Sequence, residues 1–211
     1  MDQTAHLWLF FVLVFGTVLL PGLDMAFILA SALSGGRKSG FAAVAGVMAG
    51  GVCHVALGAT GIALLLKLFP PAFNAVLLLG ALYIAWIGLS LLRGGAALSV
   101  SARTTPRSAA AVFRQGVITS LLNPKAYVFT LAVFPQFFRS EYGPLWTQAC
   151  VLWLIIAVTQ LVIYGGVALL AAQARNWIES SSTASLLIAR GVGAMLILAA
   201  MLTGIEGWQR L

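Results

Sequence analysis

Charge is what this sequence most lacks. Only 8% of its 211 residues are Asp, Glu, Lys or Arg, and only five are acidic. A soluble domain carries about 25% charged residues to keep its surface in water. A wholly water-facing surface is therefore excluded, and much of the exterior must meet lipid. Cysteine is nearly absent as well. Cys53 and Cys150 each sit alone in an apolar run, with no CxxC and no metal-ligand spacing, and are expected as small hydrophobes packed inside. No G-x-S-x-G occurs, and Ser34 and His54 are not spaced as a nucleophile and its base, which argues against an intramembrane hydrolase. The opening MDQTAH lacks the positive segment of a signal peptide, so the first apolar run is expected to persist as a helix.

What is present is hydrophobic residue, 61% of the chain, arranged in six runs: 7–33, 41–66, 72–92, 117–138, 145–172 and 186–202. Each is long enough to cross about 30 Å of hydrocarbon as a helix, and none shows the short alternating pattern of a β-barrel strand. The expected fold class is therefore all-α integral membrane, with six transmembrane helices. Six spans leave no room for a soluble domain.

The net charge of +7 is spread over the linkers rather than gathered in a patch, which reads as a topology signal and not as a nucleic-acid surface. Arg37, Lys38, Arg93, Arg103, Arg107, Arg114, Arg175 and Arg190 fall on one side, against Lys67, Arg139 and Arg210 on the other. The positive-inside rule then puts the first side in the cytoplasm and both termini on the outer side of the membrane. Trp8, Trp146 and Trp208 sit at helix ends on the outer side, as an interfacial aromatic belt would place them.

Residues 93–116 form the one long polar linker and divide the single domain into halves, 1–92 and 117–211. The halves resemble each other weakly: Thr17, Leu19, Leu20, Phe27, Leu29 and Ala30 recur as Thr119, Leu121, Leu122, Phe129, Leu131 and Ala132. Three helices per half would make the second copy inverted, a recurring transporter architecture.

The first helix of each half is interrupted. Helix 1 contains Pro21-Gly22 and helix 4 contains Asn123-Pro124. Each proline removes a backbone donor and leaves the carbonyl four residues earlier, Thr17 or Ser120, without its usual partner. Paired breaks in corresponding helices point to a transport site, although membrane helices also tolerate simple proline kinks. Charges stand beside both breaks. Asp24 and Lys125 lie roughly 12–14 Å into the membrane at about 1.5 Å per residue. Ionised groups at that depth face a partner or a watery cavity. Either the two pair and hold helices together, or they serve substrate and proton. His54 and Gln160, mid-span in helices 2 and 5, are further pathway candidates or interhelical hydrogen-bonders. Gly46 and Gly50 make a GxxxG step that suits internal packing or a homodimer equally.

Taken together these residues resemble the LysE/RhtB family of bacterial amino-acid exporters. The likeness runs nearly end to end. It covers Pro21-Gly22-Leu23-Asp24, Gly35-Gly36-Arg37-Lys38-Ser39-Gly40, Leu79-Gly80-Ala81-Leu82-Tyr83 through Arg93, Asn123-Pro124-Lys125-Ala126 and Phe134-Pro135-Gln136-Phe137. One position departs from the family pattern: Leu23 stands where a second proline is usual, so the first break should be milder. The resemblance implies proton-driven export of an amino acid or similar metabolite.

The resulting expectation is a secondary transporter with no enzymatic activity, cofactor or metal. The substrate is held by Pro21, Gly22, Asp24, Asn123, Pro124 and Lys125. The half-helix N-termini and Lys125 meet its carboxylate, and Asp24 meets its ammonium. Asp24, the only carboxylate deep in a span, is the candidate for proton coupling. The alternative is a thiol–disulfide electron conductor, which needs Cys53 and Cys150 within disulfide range.

Overall fold

The computed structural model describes residues 2–60 and 107–179, together with isolated positions in 78–92 and 190–201. Expectations for helix 3, helix 6, Arg93, Arg103, Lys67, Trp208 and Arg210 lie essentially outside the described residues. Within them every regular element is helical.

Helix α1 spans Gln3–Leu19, started by Asp2, whose carboxylate accepts from Ala5 N at 2.9 Å. It stops where Pro21 would clash with the preceding turn. Helix α2 spans Leu23–Ala59, interrupted at Gly36 with φ 67° and ψ −161°. That left-handed φ suits glycine and strains other residues. The chain reverses there. A Cβ added at Gly40 would lie 2.9 Å from Ala32 Cβ, atoms that a straight helix would hold about 12 Å apart. Hence 37–59 folds back on 23–35 as the next arm.

Helix α3, Ala109–Leu121, opens on Ser108, whose hydroxyl accepts from Ala111 N. It begins eight residues before the apolar run expected at 117, because the strong helix formers Ala109-Ala110-Ala111 follow a good N-cap. Helix α4 spans Pro124–Ala132, with proline in its first turn. Two 3₁₀ turns, Phe134–Phe137 and Ser140–Tyr142, lead into α5, Leu145–Glu179.

Two contacts set the frame. The returning arm of α2 lies against α3, with Gly46 and Gly116 in backbone contact and Gly50 facing Ser120 and the Val117 carbonyl. A Cβ at Gly46 would strike the Phe113 carbonyl, so the GxxxG step is used inside the chain. The second contact is aromatic. Phe10 of α1 packs on Phe129, Phe134 and Phe137, with ring centroids 5.9, 6.0 and 4.9 Å away. His6 lies on Phe137, and Thr17 lies beside Lys125. Residue numbers in α1 thus rise as those in 125–137 fall, and the two segments run antiparallel.

The exterior is apolar. Leu154, Val158, Val162 and Leu170 form an exposed stripe down α5, while Trp8 and Trp146 stand exposed at the starts of α1 and α5. By length and composition Leu23–Ala59, divided into two arms at Gly36, and Leu145–Ala174 are apolar enough to cross a membrane.

Candidate functional site

The site is built where the helices stop. Pro21 has no N–H for the Thr17 carbonyl. Lys125 Nζ donates to that carbonyl at 2.9 Å and to the Leu20 carbonyl at 2.8 Å, replacing the donors missing at the end of α1. Pro124 has no N–H for the Ser120 carbonyl. His54 Nε2 donates to it at 2.9 Å. Each proline-freed carbonyl is therefore met by a side chain from the other half of the chain, and that of Ser120 also accepts from Asn123 N at 3.0 Å. Gly22 makes the first brace feasible, since a Cβ there would lie 3.2 Å from Lys125 Nζ. Asn123 caps α4, its Oδ1 accepting from Lys125 N at 3.0 Å.

Between the braces lies a cavity of about 70 Å³, room for about five waters. Thr17 of α1, Asp24 and His54 of α2, Ser120 and Asn123 at the second break, Lys125 of α4, and Gln160 and Tyr164 of α5 line it. The Asn123 amide and the Lys125 ammonium are the electrostatic neighbours of Asp24. Both hydrogen-bond partners found for Lys125 Nζ are backbone carbonyls, and neither is Asp24. Asp24 Oδ1, His54 Nδ1, Asn123 Nδ2 and Gln160 Oε1 are buried with no hydrogen-bond partner among the described residues. Buried polar groups without partners are rare, and four lining one small cavity make it the candidate site for a polar ligand or for water.

The family model described as LysE type translocator matches residues 15–207. The chain belongs to the LysE family. Among similar proteins, an uncharacterized membrane protein of Vibrio cholerae is 33% identical over 83% of this chain and 85% of its own length. A homoserine/homoserine lactone efflux protein of Salmonella typhimurium is 28% identical over 82% and 84%. A leucine efflux protein of Salmonella choleraesuis is 35% identical over 62% of each chain. No solved structure matches. The protein is accordingly a membrane translocator and not an enzyme.

In this LysE-family chain five of the expected site residues, Asp24, His54, Asn123, Lys125 and Gln160, line the one cavity. Pro21, Gly22 and Pro124 shape the breaks without lining it. The two half-helix N-termini differ. Helix α4 has its first amides occupied, Lys125 N by Asn123 Oδ1 and Ala126 N by the Asn123 carbonyl, whereas α2 has no side-chain cap. Sequence reasoning gave no role to Ser120 beyond its carbonyl, and no reason to prefer Tyr164, which is 1% exposed against the cavity. The sequence signal for Tyr164 is its spacing: four residues after Gln160, it falls on the same helix face. The cysteines correct an expectation. Both are free and exposed, on α2 and α5, rather than packed inside. In apolar helices the lipid-facing side accepts a small thiol as readily as the interior does.

Proposed function

We propose that this translocator exports an amino acid or a similar small amphoteric metabolite across the bacterial inner membrane, coupled to protons. The observation that carries this reading is the set of unpartnered polar groups from both halves, gathered on one cavity between the two helix interruptions. Two relatives named for efflux of leucine and of homoserine or its lactone support the substrate class.

In the proposed cycle Asp24 meets the substrate ammonium and exchanges it for a proton. Asn123 Nδ2 meets the carboxylate, with the remaining N–H of Lys125, since an ammonium has three donors and two are on carbonyls. The uncapped start of α2 adds its positive dipole end. Helices 1 and 4, broken at Pro21-Gly22 and Asn123-Pro124, belong to two inverted three-helix halves. Rocking of the halves opens the cavity alternately to cytoplasm and periplasm. The termini are periplasmic in this reading.

The test is counterflow of a panel of labelled amino acids into proteoliposomes of purified protein. Accumulation of at least one against unlabelled internal substrate is expected. Folded protein that exchanges none of them would defeat the proposal.

A further inference from the structure

His54 does more than brace a helix end. Its Nε2 faces a carbonyl oxygen, which only accepts, so the proton of a neutral ring sits on Nε2. Nδ1 then carries a lone pair. That nitrogen is buried and unpartnered, the residue is 5% exposed, and the ring lines the cavity beside Asp24 and Gln160. Tyr127 packs edge-to-face on the ring, with centroids 4.8 Å apart, and limits its rotation. The Ser120 carbonyl, which also accepts from Asn123 N at 3.0 Å, thus fixes the tautomer: Nε2 is the donating nitrogen and Nδ1 is left as acceptor.

The orphaned groups sort by chemistry. Asp24 Oδ1 and His54 Nδ1 are acceptors, and Gln160 Oε1 joins them with the amide oriented as it stands. Asn123 Nδ2 is a donor, and its orientation is set because Oδ1 accepts from a backbone N–H. Three acceptors match the three N–H donors of a primary ammonium, and one donor suits a carboxylate.

We propose that His54 is a specificity-determining residue that accepts one N–H of the substrate's primary ammonium through Nδ1, alongside Asp24 and Gln160, so that the site selects primary over N-methylated amines. This rests on the amino-acid export reading and adds to it the residue that discriminates among amines. A methyl group on nitrogen removes one donor and leaves one acceptor buried and unpaired. Sites built to hydrogen-bond a substrate reject analogues lacking the group strongly.

The experiment compares leucine and homoserine with their N-methyl derivatives in counterflow into proteoliposomes, for wild type, His54→Leu and His54→Phe. The phenylalanine keeps a ring against Tyr127 while removing both nitrogens, and the Ser120 carbonyl retains its bond from Asn123 N, so it serves if the leucine variant folds poorly. Wild type is expected to favour the primary amine by roughly ten- to a hundredfold. Both variants should raise KM for the primary amine about tenfold and shrink the preference to two- or threefold. A purely structural histidine would change stability and leave the preference where it was. Unchanged preference in a folded variant overturns this inference alone. Wild-type protein that exchanges no amino acid overturns it together with the export reading.

Discussion

Replacing Lys125 by Met tests whether Asp24 and Lys125 are an ion pair or two separate devices. The substitution removes the donors to the Thr17 and Leu20 carbonyls. Interhelical hydrogen bonds in membranes contribute about 0.6 kcal/mol on average and up to about 1.7. Two of them, from a charged donor, make the expected loss roughly 1–3 kcal/mol. Asp24→Asn should change stability little, since Oδ1 has no hydrogen-bond partner to lose and an asparagine oxygen can still face the Asn123 amide. The double variant should therefore be as unstable as the sum of the singles, with a coupling below about 1 kcal/mol. A buried ion pair behaves differently: breaking it costs about 3–5 kcal/mol, and removing the second partner restores most of that. Unfolding in detergent micelles measures the stabilities, and counterflow and gradient-driven export in proteoliposomes measure function. Asp24→Asn is expected to keep exchange while losing proton-driven accumulation, because exchange needs no net proton movement. Giving Thr17 its donor back through Pro21→Ala should recover part of the Lys125→Met loss. Double-variant protein that regains both stability and gradient-driven export would refute the reasoning.

Three further outcomes are expected. Gly46→Ala drives a methyl into the Phe113 carbonyl and should cost roughly 1–3 kcal/mol in detergent melts, whereas Gly166→Ala meets nothing within 4 Å and should be neutral or stabilising by about 0.5–1 kcal/mol. Replacing both exposed cysteines, Cys53 and Cys150, with alanine should leave transport intact; a folded but inactive double variant would revive the electron-conductor alternative. In that cysteine-free background an impermeant thiol reagent applied to intact cells should label a cysteine at Gln3 and not one at Ser101; the reverse pattern would invert the topology.

The sequence carried the breaks but not their repair. Pro21 and Asn123-Pro124 can be read as helix ends, and the carbonyls of Thr17 and Ser120 as those left over, because both follow from backbone chemistry within one turn. That Lys125 and His54 take those carbonyls is tertiary information, 108 and 66 residues away along the chain, and no local pattern encodes it. The same limit explains the start of α3. Hydropathy sees the lipid boundary near 117, while Ser108 and three alanines extend the helix into the polar linker. It also explains Cys53 and Cys150, since a helix apolar all round gives no sign of which face looks outward.

The crossed braces also bear on how far the protein can be taken apart. Lys125 lies against the backbone of the first half, past Gly22, where a side chain would press on its ammonium, and His54 lies against the backbone of the second. A chimera joining residues 1–92 of this chain to the second half of a relative would be sound only if that relative supplied a long cationic donor at position 125 and a proline-freed carbonyl at 120. Exchange with a relative that lacks either feature is then expected to yield unstable protein, while exchange with one that keeps both is tolerated. The two halves are separate in sequence yet behave, for grafting and recombination, as a single unit of inheritance.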